Sequence, residues 1–189
     1  MTTDQSTTAT DLSAITGTWT LDKPHTNVGF AVKHAMVSTV RGSFKEFDGT
    51  LVIDGANLAA STVNVTIQAG SVDTRNDQRD GHLKSPDFLD VENFPTLTFV
   101  STSVVHKGGD EFVVTGDLTI HGVTKSVELT TELQGVSTDP YNVRKVGFEA
   151  TTTISRKEFG LVYNAALETG GWLVGDIIKI SLDVEANAS

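Results

Sequence analysis

The sequence predicts an all-β domain, an antiparallel barrel of about eight strands with one short helical insert. Two observations carry this reading. Apolar residues recur with period two in segment after segment, the repeat of a strand with one buried face. The segments are also short, evenly spaced and separated by turn chemistry, which is the pattern of a sandwich or a closed barrel.

The elements follow in order. Residues 1–16 are rich in Thr, Ser and Asp and poor in large apolar side chains, so they read as a flexible tail, with the ordered domain over 17–187. Thr18 to Asp22 is a short strand. In Asn27 to His34, Val28, Phe30, Val32 and His34 share one face. Arg41 to Asp54 continues the pattern and ends at the turn pair Asp54-Gly55. Ser61 to Gln68 alternates through Val63, Val65 and Ile67. The period then breaks. Charges dominate from Asp73 to Ser85, and Thr74 followed by Asp77 resembles a capping box, which places a short helical insert near residues 74–89. Strands resume at Thr96 to Val105, Phe112 to Ile120 and Val123 to Leu133, joined by Lys107-Gly108-Gly109-Asp110 and by His121-Gly122. Gly135 to Tyr141 reads as a loop. Val146 to Ile154 alternates again, and Trp172 to Val184 is a long last strand with Trp172, Val174, Ile178, Ile180 and Leu182 on one face. An eight-stranded barrel is just wide enough to hold a slender ligand.

Composition narrows the function. The formal charge of −10 lacks the basic face that phosphate binding needs, so no nucleic-acid partner is expected, and docking to anionic lipid is disfavoured. The absence of cysteine excludes disulfides, thiolate metal sites and cysteine nucleophiles. No stretch approaches the roughly 18 apolar residues of a membrane span, so stable membrane insertion is not expected. The N-terminus has neither a basic nor an apolar signal region, and a cytoplasmic location is expected.

Several segments, taken in order, resemble the YceI-like family. They are Trp19-Thr20-Leu21-Asp22, Pro24-His25-Thr26-Asn27-Val28-Gly29-Phe30, Val32-Lys33-His34 and Arg41-Gly42-Ser43-Phe44. Asp73-Thr74-Arg75-Asn76-Asp77-Gln78-Arg79-Asp80-Gly81-His82-Leu83 and Phe94-Pro95 follow. The last are Gly116-Asp117-Leu118-Thr119-Ile120-His121-Gly122-Val123-Thr124-Lys125 and Ser155-Arg156-Lys157-Glu158-Phe159-Gly160. The family pattern usually has Ser where Thr26 stands, a change that keeps the hydroxyl. Many members are periplasmic and carry a signal peptide, unlike this N-terminus. The resemblance implies an extended lipocalin-like barrel whose apolar tunnel binds, carries or stores a long-chain isoprenoid lipid, of polyprenyl phosphate or quinone type. It implies no other cofactor.

If such a tunnel exists, the inward strand faces supply its wall. The candidates are Phe30, Val32, Phe44, Ile67, Leu83, Phe88, Phe99, Ile120, Phe148, Ile154, Phe159, Val174 and Ile178. The same residues could equally fill a solid core. For the polar mouth, where a head group would sit, the candidates are His25, Arg75, Arg79, Asp80 and His82. Arg75 and Arg79 are four apart, so on one helix they would repel unless an acid lies between them. That acid could be a protein carboxylate or a ligand's phosphate or carboxylate, since bidentate arginine suits either. His25, His34, His82 and His121 show no recognised metal-ligand spacing, so no metal site is expected. No catalytic motif stands out either, and no enzymatic role is expected. Two alternatives remain open. One is a lipid-modifying enzyme using His25, His82 or His121 as base. The other is a stress-related module with a solid core that dimerises through an apolar patch. A homodimer is compatible with every reading.

Overall fold

The computed structural model describes residues 10–189 of the chain. Eleven strands form one antiparallel sheet: β1 (Gly17–Leu21), β2 (Asn27–His34), β3 (Ser38–Phe44), β4 (Phe47–Ile53), β5 (Thr62–Gln68), β6 (Val72–Asp73), β7 (Thr96–Gly108), β8 (Glu111–Ile120), β9 (Val123–Thr138), β10 (Arg144–Ser155) and β11 (Val174–Ala188). One helix, α1 (Asp77–Lys84), follows β6. The ladder runs β1, β4, β5, β7, β8, β9, β10, β11 and returns from β11 to β1. That is a closed ring of eight, the predicted barrel, and within the ring, closure leaves each of the eight strands paired on both sides.

The extra strands are continuations past a kink. β11 pairs with β1 through Ala186–Ala188 and with β2 through residues 174–183, so β1 and β2 are two halves of one wall strand. The same holds for β3 with β4 and for β5 with β6. The breaks are short: a 3-10 turn at Lys23–His25, the pair Lys45-Glu46 and a 3-10 turn at Ala69–Ser71. They lie in three adjacent strands, and side-chain bonds fix them. The Ser71 hydroxyl accepts from the amides of Lys45 (3.1 Å) and Glu46 (3.0 Å). The Thr26 hydroxyl accepts from the Glu185 amide and donates to the Glu185 carbonyl. The kink changes the period: Phe44 and Phe47, an odd number of residues apart, both join the core. An unbroken strand would send one of them to solvent.

At one end the barrel is plugged. A 3-10 turn at Leu12–Ile15 buries Ile15 to 1% exposure, and the Trp19 indole N–H donates to the Ile15 carbonyl at 2.8 Å. Arg144 donates to the Ala14 carbonyl, and its guanidinium lies 5.2 Å from the Trp19 ring centre. Residues 10–16 therefore belong to the fold, contrary to the expected tail, because one buried isoleucine and one hydrogen bond from a buried indole donor suffice to anchor so short a segment. The rest of that expected tail, 1–9, lies outside the described residues.

At the other end two ladders part. β6 pairs only with β3, and the chain leaves the wall through α1 before returning at Thr96. The β9–β10 ladder ends at Thr130 and Thr151, beyond which a 3-10 turn at Arg156–Phe159 contacts β9 and β11. Three further expectations shift. The helix is capped by Asn76, whose side chain accepts from the Arg79 amide at 2.9 Å, and not by Thr74. β9 runs on to Thr138, so the expected loop at 135–141 shrinks to the turn after it. Trp172 lies ahead of β11 and is 57% exposed. The ladder slips between Val174 and Ile178, so the alternation of the strand does not extend back to it.

Candidate functional site

The inward faces of the wall strands leave a space. A cavity of about 310 Å³ is lined from the plugged end (Ile15, Leu58) to the α1 end (Leu83, Phe88, Leu161, Val174). Of its 41 lining residues only Thr26, Ser61, Thr62, Thr131, Thr152 and Arg156 have polar side chains, so the wall presents almost nothing to a water molecule. Two glycines shape it. A side chain at Gly116 would collide with the Phe99 ring, and one at Gly42 with the tip of Phe30. Their absence lets both rings lie against the wall and keeps the bore clear. Phe30 and Phe44 pack with centroids 5.7 Å apart.

Twelve of the thirteen residues proposed for a tunnel wall line this cavity: Phe30, Val32, Phe44, Ile67, Leu83, Phe88, Phe99, Ile120, Phe148, Ile154, Val174 and Ile178. Phe159 does not. It is buried in the 3-10 turn where β9 and β10 separate, so it packs the split wall from a position off the strand period.

The polar candidates divide differently. Arg75 precedes the Asn76 cap with φ of +62°, so it shares no helical face with Arg79. Arg79 donates from Nε to the Thr74 hydroxyl (2.7 Å) and from Nη2 to the Thr74 carbonyl (2.9 Å). Asp80 is buried and accepts from the Thr74 amide (2.9 Å) and hydroxyl (2.5 Å). Arg79, Thr74 and Asp80 thus pin the helix to its own approach segment. None of Arg75, Arg79 and Asp80 lines the cavity. His82 lies beside the α1 end of the cavity without lining it. It bonds Asp87 at 2.8 Å and packs edge-on against Phe88 (5.0 Å) and Tyr163 (4.9 Å), and Phe88 reaches the cavity itself.

His25 is elsewhere. It lies in the kink between β1 and β2, 3.1 Å from Asp22 and 3.8 Å from Glu185, whose strand partner Gly147 is near the start of β10, whereas the mouth is where β10 ends. His121 lies in the β8–β9 turn against Phe94. The proposed histidines are therefore separate from one another, and no histidine lines the cavity.

Asp22, His25 and Glu185 bring three possible ligand atoms within 4.8 Å. The Lys145 ammonium already bridges Asp22 (3.1 Å) and Glu185 (2.9 Å) and also reaches Asn187 (2.8 Å), so the acids have a cation of their own. Burial works to raise the Asp22 carboxyl, but the bonds from His25 and Lys145 outweigh it and hold the group below its ordinary 3.8. The bond to Glu185 outweighs burial and holds Lys145 above its ordinary 10.5. The folded chain therefore binds the Asp22 proton less tightly than the unfolded chain. The stability this confers is full above pH 3.8 and is lost as the pH falls below it; the Lys145 part is full below 10.5 and is lost above it. Asp22→Asn is expected to be less stable than the parent at pH 7 and to converge with it near pH 2–3. Urea unfolding at the two pH values checks this, and a constant gap would contradict it.

One polar residue escaped sequence reasoning. Arg156, just past β10, is 2% exposed, and it is the one charged residue on the cavity wall among the described residues. Its Nε donates to Gly175 O (2.8 Å), its Nη1 to Leu161 O (2.5 Å) and Tyr163 O (2.9 Å), and its Nη2 to Val174 O (3.2 Å). It stitches the segment after β10 to the start of β11. Arg156 stands in the family-like segment Ser155-Arg156-Lys157-Glu158-Phe159-Gly160, but an arginine directly after a strand ordinarily reads as solvated loop, so the sequence assigned it no role.

Comparison with known proteins fits this geometry. Residues 19–186 match the YceI-like domain family. Protein YceI of Salmonella newport and of Escherichia coli are each 46% identical over 151 residues, covering 79% of this chain and 78% of theirs. The Campylobacter jejuni YceI crystal structure superposes with a TM-score of 0.71 at 35% identity, covering 89% of this chain and 96% of that one. Two structures share the fold at lower identity. Burkholderia cenocepacia BcnA has a TM-score of 0.77 at 24% identity, over 87% of this chain and 98% of that one. A polyisoprenoid binding domain from Saccharophagus degradans, implicated in plant cell wall breakdown, has 0.68 at 12%, over 90% and 98%. With the matched residues spanning nearly all of the described barrel, this chain belongs to the YceI-like family.

Proposed function

We propose that this protein binds a long-chain isoprenoid lipid in the barrel cavity and carries or stores it. The observation that supports this most is the cavity: one apolar space, lined from the plugged end to the mouth. Each methylene-sized group taken into it from water contributes about 0.8 kcal/mol, so a chain of several prenyl units needs few polar contacts to bind. The shared fold with a polyisoprenoid binding domain agrees with that chemistry. A carrier fits better than a catalyst, because the histidines that could act as bases all lie off the cavity. The volume also argues against a solid-core module.

Native mass spectrometry of gently purified protein, followed by extraction and identification of the bound compound, tests this. The expected result is a bound species with the mass of a prenyl lipid, and uptake of an added one by stripped protein. Stripped protein that takes up no prenyl compound would overturn the reading.

A further inference from the structure

We infer that the cavity selects amphiphiles with an acidic head group, carboxylate or phosphate, and that Arg156 at the α1 end sets this preference. The inference rests on the lipid-binding reading and adds the head-group class and its location.

The argument starts from charge. A buried guanidinium is ordinarily paired with a carboxylate, because removing it from water is costly. Arg156 has no carboxylate within ion-pair distance among the described residues. Its four bonds all go to neutral backbone carbonyls. Asp176 is close enough for its charge to act on Arg156, but its oxygens take the Ser155 hydroxyl (2.7 Å) and the Lys157 amide (3.2 Å). A guanidinium has five N–H donors, and one on Nη2 has no acceptor among the described residues. Burial lowers the Arg156 pKa from its ordinary value, the sign of a charge short of counter-charge, yet arginine stays protonated.

Such a cation facing an apolar space produces a positive field that little solvent screens. An anionic head brought to that end gains from the field and from the spare donor. An alcohol gains at most one ordinary hydrogen bond. The hydrogen bonds at this end favour Arg156 over Arg79, whose donors are taken by Thr74 and which does not reach the cavity.

Retinol, retinoic acid and retinyl phosphate share one isoprenoid skeleton and differ at the head, so they make suitable probes. Binding to stripped protein is read by ligand fluorescence and quenching at pH 8. At least one acid is expected to bind tenfold or more tighter than retinol, and 0.5 M NaCl should not abolish the difference, since a buried charge is poorly screened. The arm that wins tells carboxylate from phosphate. Arg156→Gln is expected to collapse the ratio. Should that variant not fold, the native protein still decides: carboxyl-¹³C retinoic acid, titrated while bound, should ionise at lower pH than when free. Ionisation at the free value or above, or equal affinity for all three probes, would overturn the inference while leaving lipid binding intact. Failure of all three to bind would instead count against the lipid-binding reading.

Discussion

Replacing Arg156 by Met is expected to destabilise the fold by about 3–5 kcal/mol, far more than a typical surface change. The side chain is buried and supplies donors to four carbonyls, those of Leu161, Tyr163, Val174 and Gly175. Methionine fills similar space but donates nothing. Each buried acceptor left without a partner costs about 1–3 kcal/mol, and water entering from the cavity side recovers part of the sum. Arg156→Lys keeps the charge but offers one compact donor group where four acceptors are spread along the chain, so it should recover only part of the loss. With a urea m-value of about 2 kcal/mol/M, the Met variant should unfold roughly 2 M earlier. A shift under about 0.5 M at unchanged m, on the order of 1 kcal/mol, would show that the carbonyls find other donors.

This residue marks where sequence reading stops. Alternation assigns a side chain to a face only while the strand is unbroken. Within β2 and β10 it placed Phe30, Val32, Phe148 and Ile154 on the cavity side, because those strands keep their period. It could not foresee that Phe44 and Phe47 both face inward, since the break between them is held by Ser71, more than twenty residues away. Arg156 is harder still: its role depends on carbonyls up to 19 residues downstream, and carbonyls leave no trace in a sequence. The mouth was misassigned for a related reason. Arg75 and Arg79 look like helical neighbours until Asn76 is seen to cap the helix between them. His25 falls in a matched segment, but only the closed ring shows that its kink lies away from α1. The family motifs carried the cavity where the residues alone allowed a solid core.

The largest expected effect on binding comes from Ala150. It lies on β10 between Thr131 of β9 and Leu182 of β11, is buried, and faces the cavity. Ala150→Trp places an indole across the bore. A prenyl chain that must stop short of it forfeits about 0.8 kcal/mol for each methylene-sized group left outside. Four such groups amount to about 3 kcal/mol, or roughly a hundredfold in affinity. The fold should survive, because the indole enters existing empty space and buries apolar surface there instead of displacing packed neighbours. Thermal unfolding at or above the parent temperature, together with lost binding, is the expected pair of results. Thr151→Trp is the control: its side chain points outward from the next position on the same strand, so it should bind lipid like the parent. If Ala150→Trp folds and still binds with parental affinity, the lipid does not occupy the bore, and binding must be sought on the outer surface. If both tryptophan variants lose binding, the effect belongs to β10 as a strand rather than to the space it encloses.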